Sequence, residues 1–188
     1  MHLKLKLNLD TFWRGARVVM EQIANLSTGN CRRGSNPRLS AKFMFSIEID
    51  KDIISEHSYV DYNDLYPHEN IIPEKKDSLK HKLQKETNFF FISSIIICNK
   101  SGIIIDGHHR YNSLKEIGIS QIPVTKVNYM SKKIITTEKN IIPKKSIIKR
   151  ALSGNLFDPK STKHMVFCEK KNDWFPIILI SSLFQIKL

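Results

Sequence analysis

Apolar residues in this chain of 188 residues gather in short dense clusters, and the densest lie near its middle. Ile95, Ile96 and Ile97, then Ile103, Ile104 and Ile105, read as two short buried strands joined by a turn at Asn99 to Gly102. Just beyond, Leu114, Ile117 and Ile119 supply the apolar face of a helix. Lys115 and Glu116 take the water side, and Gly118 stands where a left-handed cap would end it. Reading the rest in the same way predicts strands at 45–49, 89–98, 102–105 and 122–127, and helices at 74–86, 110–117 and 144–152. Loops fall at 66–73 and 154–164. Strands that alternate with helices argue for an α/β fold, and no internal repeat is present.

Residues 1–43 have another character. Leu3, Leu5, Leu7 and Leu9 alternate with polar residues as in a strand, and Phe12 to Leu26 can form a helix with Val18, Val19 and Ile23 inside. The stretch from Ser27 to Ser40 then turns polar and basic, rich in Gly, Asn, Ser and Pro, and reads as a linker. The expected organisation is a basic leader at 1–43, outside the core, a single folded domain at 44–170 and an apolar C-terminal segment at 171–188. The apolar run from Phe175 to Ile186 is about half the roughly 20 residues that span a bilayer, so a core element is expected there and no membrane association.

The net charge is +12, which favours anionic partners such as nucleic acid, nucleotides or acidic lipid. Eight Lys and Arg stand against two acidic residues in 1–43, so the leader carries much of that excess. A basic arm on nucleic acid is one reading of it. Cys31, Cys98 and Cys168 are far apart and show no metal-ligand spacing. A reducing compartment follows, and with no secretory signal at the N-terminus the expected location is cytoplasmic.

Three clusters can carry chemistry. In Asp106-Gly107-His108-His109-Arg110 an acid, two imidazoles and a guanidinium stand where a buried strand becomes a helix. Unpaired amides at that helix start make an anion site. A carboxylate beside such a pocket is repelled unless a divalent cation or a substrate hydroxyl intervenes, so Asp106 points to catalysis as well as binding. Upstream, Pro67 stiffens a loop holding His68 and Glu69. Downstream, Lys160, Ser161, Thr162, Lys163 and His164 can all donate hydrogen bonds to phosphate oxygens. Each cluster also has a plainer reading: Glu69 as a solvated carboxylate at a helix start, the late run as a solvated basic loop, His108 and His109 as core histidines. Cys98 reads as a small core residue.

The run IIIDGHHRYNSLKEIG followed by Ile122-Pro123-Val124 resembles the signature of the ParB/sulfiredoxin superfamily. With Pro67-His68-Glu69 upstream and LFDPKSTKHM downstream, the chain is similar over about residues 60–168 to the free L-serine kinases of that superfamily. The resemblance implies a ParB/sulfiredoxin-like single domain, a small mixed sheet flanked by helices, that makes O-phospho-L-serine from L-serine and ADP or ATP with Mg2+. It places Glu69 as the general base on the serine hydroxyl and Asp106 as the second acidic residue. It assigns Gly107, His108, His109 and Arg110, and the late Lys160, Ser161, Thr162 and His164, to the nucleotide phosphates, and His68 to the substrate. Two departures stand out. Phe157-Asp158-Pro159 replaces the family's usual Phe-Pro-Pro, and no tryptophan lies near 136–141, where the family tends to carry one at the serine pocket.

Other functions remain open to such a sequence. A ParB-like DNA-binding or nucleotide-hydrolysing module shares the central motif and predicts a helix-turn-helix after the core. A sulfiredoxin-type reductase would need a thiol where His108 stands. A silent relative would keep binding without turnover. Metal ligands, the choice of donor and oligomeric state are not encoded legibly.

Overall fold

The isoleucine runs form the middle of a four-stranded sheet. In the computed structural model, which describes residue 47, residues 49–137 and residues 142–188, this sheet comprises β1 (Ile54–Asp61), β3 (Ile95–Cys98), β4 (Ile104–Asp106) and β5 (Gln121–Val127). Their spatial order is β1-β5-β3-β4. β1 runs antiparallel to β5, β5 parallel to β3, and β3 antiparallel to β4, so the sheet is mixed. The described residues all belong to one compact unit, Ser40–Leu188.

Both faces of this sheet are covered, which explains why its central strands are apolar at every position. Ile96, Cys98 and Ile105 pack on one side with Ile147 and Ala151 of α3 (Lys144–Ser153) and with Val166. Ile95, Ile97 and Ile104 pack on the other with Leu83 of α1 (Pro73–Gln84) and with Tyr111 and Leu114 of α2 (His108–Glu116). Each such buried isoleucine contributes about 1.5–3 kcal/mol, so register is strongly set where the site's strand ends. α2 stops as its sequence predicts. Gly118 has φ +85, its amide bonds Lys115 O and the amide of Ile119 bonds Leu114 O, the paired bonds of a Schellman cap.

Two smaller sheets complete the unit. β6 (Ile134–Thr137), β7 (Lys163–Cys168) and β8 (Asp173–Pro176) form an antiparallel trio, and β2 (Phe89–Ser93) pairs with β9 (Leu183–Lys187). The C-terminal apolar segment therefore contributes β8, the turn at Ile177–Ile180 and β9. Among the described residues no helix is long and apolar enough to cross a membrane.

Several sequence expectations need correction. The single strand at 89–98 is two strands in different sheets. Ser94 breaks it: its amide donates to Ser182 O at 2.7 Å, and its hydroxyl meets Thr125 Oγ1 at 2.6 Å and accepts from the Ser182 amide. β1 was not predicted, because as an edge strand it leaves Ser55, Glu56 and His57 exposed and carries little apolar periodicity. The central helix begins at His108, two residues ahead of the predicted start, and β7 begins inside the predicted late loop. The strands expected at 3–9 and the helix at 12–26 lie outside the described residues, as does most of the strand at 45–49, where Ile47 and Ile49 are irregular.

Candidate active site

Two loops meet beyond the end of β4. The first, from Leu65 to Ile72, is tied to the strand by the Tyr66 amide on Gly102 O and the Ile104 amide on Tyr66 O. The second precedes β7 and pairs with the first through Phe157 N to His68 O and Asn70 N to Phe157 O, both 2.8 Å. Glu69 sits in this seam, 8% exposed. Its Oε1 accepts from the amide of Thr162 at 2.6 Å and from the Thr162 hydroxyl, and its Oε2 accepts from the Lys160 amide at 3.2 Å. Lys160 takes φ +61 to aim that amide inward, a left-handed conformation that costs a residue with a Cβ about 1–2 kcal/mol. Burial pushes the Glu69 carboxyl up. Hydrogen bonds from Thr162 and Lys160 oppose this, and the nearby Asp106 adds to it.

Behind Glu69 lies a buried imidazole cluster. The His68 ring is fully buried, with Nδ1 2.5 Å from Ile104 O and Nε2 2.7 Å from Thr162 Oγ1. A carbonyl only accepts, so Nδ1 carries the proton. His108 accepts the His68 amide on Nε2 at 3.3 Å, and its ring packs edge-on to His68, centroids 4.5 Å apart. The His164 ring also packs edge-on to His68, centroids 5.4 Å apart, with its Nε2 2.9 Å from the hydroxyl of Tyr129. Burial holds all three imidazoles neutral, with His68 pushed down to about 4.

Asp106 ends β4, and its Oδ2 accepts from Arg110 Nη2 at 2.6 Å. Arg110 Nη1 donates to Ser93 O at 3.0 Å and to Ser93 Oγ at 2.5 Å. The guanidinium is thus held between β2 and β4, over Gly107. A Cβ built on Gly107 would stand 3.0 to 3.3 Å from three guanidinium atoms, and Gly107 has φ +104, so this position requires glycine twice over.

His109 faces the other way. Its Nε2 accepts the Ile72 amide at 3.0 Å, which puts the ring proton on Nδ1 as a remaining donor. Lys75, in the first turn of α1, and Lys160 both lie close enough to hold its pKa down, after burial, while Asp106 acts in the opposite sense. At the start of α2 the first satisfied amide is that of Tyr111, bonded to Gly107 O. The start of α2, the His109 ring and the two lysines thus lie near one another.

The structure therefore brings together Glu69, Asp106, Gly107, His109, Lys160 and Thr162. The side chains of His68, His108 and His164 are buried behind them, and Arg110 is engaged by Asp106 and Ser93. The resemblance assigned His108, Arg110 and His164 to the nucleotide phosphates and His68 to the substrate; here the His68 ring bonds Ile104 O and Thr162, His108 takes the His68 amide, His164 meets Tyr129, and Arg110 bonds Asp106 and Ser93. Ser161 Oγ is buried without a hydrogen-bond partner. Sequence reasoning missed Ser93, Lys75 and Tyr129. The Ser-Ser break after four apolar residues was a usable signal for the first, while nothing in the spacing marks the other two.

Over 104 residues the chain is 29% identical to an ATP-dependent L-serine kinase of Staphylothermus marinus, covering 51% of this chain and 40% of that protein. Over 91 residues it is 32% identical to a ParB-like protein of Sulfolobus acidocaldarius, covering 47% and 44%. The chain is a relative of both. It spans less than half the length of these curated relatives, and no model of a known protein family matches it. Among solved structures, a free serine kinase in complex with AMP aligns at a TM-score of 0.39 and 18% identity, over 50% of this chain and 38% of that one. A variant free serine kinase in complex with ADP aligns at 0.40 and 18% over the same shares.

Proposed function

We propose that this chain is a nucleotide-dependent kinase of free L-serine, with Glu69 as the base on the acceptor hydroxyl. The observation that carries the reading is the Glu69 carboxylate, buried in the seam with Asp106 nearby and the start of α2 alongside, in a chain related to an ATP-dependent L-serine kinase. Phosphoryl transfer asks mainly for positioning and charge neutralisation, and these parts supply it. Oε1 already takes two donors from Thr162, whereas Oε2 takes one from Lys160. Oε2 therefore keeps a lone pair for the serine hydroxyl.

The donor, ADP or ATP, would lay its phosphates against the α2 amides, the Nδ1 proton of His109, and Lys75 and Lys160. Asp106, clamped by Arg110, would orient the substrate. Among the described residues no group of three or more His, Cys, Asp or Glu is arranged to hold a metal ion. This fits a magnesium ion carried by the nucleotide, which binds through phosphates and retained waters. There it would neutralise developing charge. The ParB-like relative raises a second reading, DNA binding, but the described residues after Val127 contain one α-helix, α3, and no helix pair for a groove.

The test is incubation of the protein with magnesium, L-serine and ADP or ATP, following O-phosphoserine by mass spectrometry. Product with one donor, lost in Glu69→Gln, establishes the reading and names the donor. No product with either, together with measurable nucleotide binding, overturns serine as the acceptor.

A further inference from the structure

Hydrogen-bond counting behind Glu69 comes out one proton short. Two close contacts run in series, His68 Nε2 to Thr162 Oγ1 at 2.7 Å and Thr162 Oγ1 to Glu69 Oε1. Each needs a proton, and the threonine hydroxyl has one. His68 cannot supply the second in its neutral form, because its ring proton is committed to Ile104 O through Nδ1. The chain is therefore complete only when it holds one proton more than neutral His68, Thr162 and an ionised Glu69 carry between them.

We propose that His68, Thr162 and Glu69 act as one titrating unit sharing a single proton, with Thr162 as the positioning residue that passes it between His68 Nε2 and Glu69 Oε1. Two arrangements have the same atoms and the same total charge. In one, Nε2–H donates to Oγ1 and the hydroxyl donates to a Glu69 carboxylate. In the other, protonated Oε1 donates to Oγ1 and the hydroxyl donates to bare Nε2. Moving between them shifts two protons along the line and leaves Thr162 a neutral hydroxyl throughout. Only the first arrangement, or the unit stripped of the shared proton, leaves Glu69 ionised and able to take a hydroxyl proton at Oε2. The catalytic consequence rests on the kinase reading above, while the shared proton stands without it.

The surroundings make such sharing credible. His68 meets the His108 ring from α2 and the His164 ring from β7, both neutral, and Ile104 O from β4. Glu69 faces Asp106 from β4 and the amides of Lys160 and Thr162 from the late loop. Burial disfavours charge on both ends of the chain, lowering His68 and raising Glu69, which removes the imidazole's ordinary advantage over the carboxylate for the shared proton.

The experiment is NMR of the full chain without nucleotide, following the Glu69 carboxyl carbon and the His68 Nε2 nitrogen through a pH titration. In the wild type and in Thr162→Ser both nuclei share one midpoint. In Thr162→Val, which keeps the shape and removes the hydroxyl, the midpoints part by about 1 pH unit or more. Separate midpoints in the wild type, or a shared midpoint that survives in Thr162→Val, overturn the proposal. If Thr162→Val does not fold, His68→Gln decides. A glutamine amide donating to Thr162 turns that hydroxyl onto Glu69 and lowers the midpoint of the carboxyl carbon, and an unmoved midpoint overturns the proposal. Absence of O-phosphoserine in the turnover assay bears on the kinase reading alone and leaves this titration unaffected.

Discussion

Gly107→Ala tests how the acidic residue of the site is held. The backbone there has φ +104, which an L side chain adopts at a cost of about 1–2 kcal/mol. The new Cβ would also meet Arg110 Nη2 at 3.0 Å, Nε at 3.2 Å and Cζ at 3.3 Å, so the guanidinium must move. That movement loosens the bonds to Asp106 Oδ2 and to Ser93. Weakening charge-assisted hydrogen bonds of this kind adds about 1–2 kcal/mol, giving about 2–4 kcal/mol in all. For a chain of this size the melting temperature should fall by about 5–15 °C. Gly154→Ala is the internal control, since Gly154 has φ +73 with nothing within 4 Å of its built Cβ. It should show the conformational cost alone. Thermal unfolding of both variants checks the reasoning, and an equal loss at the two positions refutes the claim that the guanidinium packs on Gly107.

Glu69→Gln is expected to lower serine phosphorylation by about 10²- to 10⁴-fold, the usual worth of a general base, while ADP affinity by calorimetry stays within a few-fold; activity near wild type removes Glu69 from the mechanism. His109→Gln keeps an acceptor for the Ile72 amide and loses the Nδ1 donor, so ADP should bind about 10- to 100-fold more weakly, as for one hydrogen bond to a charged group; an unchanged Kd takes His109 out of the phosphate site. Acid should destabilise the fold through the buried imidazoles. The unfolded chain takes up protons near pH 6.5 while folded His68 waits until about 4, so stability is complete above pH 6.5 and is lost as pH falls toward 4. His108 and His164 act in the same direction, while Glu69, whose carboxyl burial holds up, acts in the opposite one. Urea unfolding at a series of pH values measures this, and a midpoint flat from pH 7 to 4.5 contradicts it.

What the sequence revealed of this fold follows from where each segment is buried. Ile95 to Cys98 and Ile103 to Ile105 are covered on both faces, so they appear as unbroken apolar runs. Gly118 announces the end of α2 because a left-handed residue is needed there. β1 was missed because an edge strand with a solvated face carries little hydrophobic signal, and the Ser94 break was missed because a bend made by backbone and hydroxyl bonds leaves no change in hydropathy. The site divides in the same way. Residue types marked the candidates, but which way each points depends on partners distant in sequence: Arg110 on Ser93, His164 on Tyr129, His109 on the Ile72 amide. A histidine beside a helix start can be a phosphate donor or a buried strut with equal local justification. His109 and His108, adjacent in sequence, differ in this way: the His108 ring is buried against His68, while His109 takes the Ile72 amide on Nε2.

The way Glu69 is anchored bears on how the site would work. Its carboxylate is gripped by two backbone amides and one hydroxyl of the late loop, and the backbones on either side are joined through His68 O, Phe157 and the Asn70 amide. A base held by the chain it must cooperate with cannot drift relative to Lys160, because the amide that fixes the carboxylate belongs to the residue whose ammonium would meet phosphate. For a reaction in which a displacement of about 1 Å can cost 10²-fold, that would couple the proposed base mechanically to the proposed phosphate ligand. It also accounts for the left-handed Lys160. With φ +61, its amide turns inward to Glu69 while its side chain is exposed, a division that an ordinary extended residue could not make at that point. Replacing Lys160 by glycine should therefore preserve the Glu69 anchor and fold stability while weakening nucleotide binding. Proline, which lacks the amide and cannot reach positive φ, should damage both.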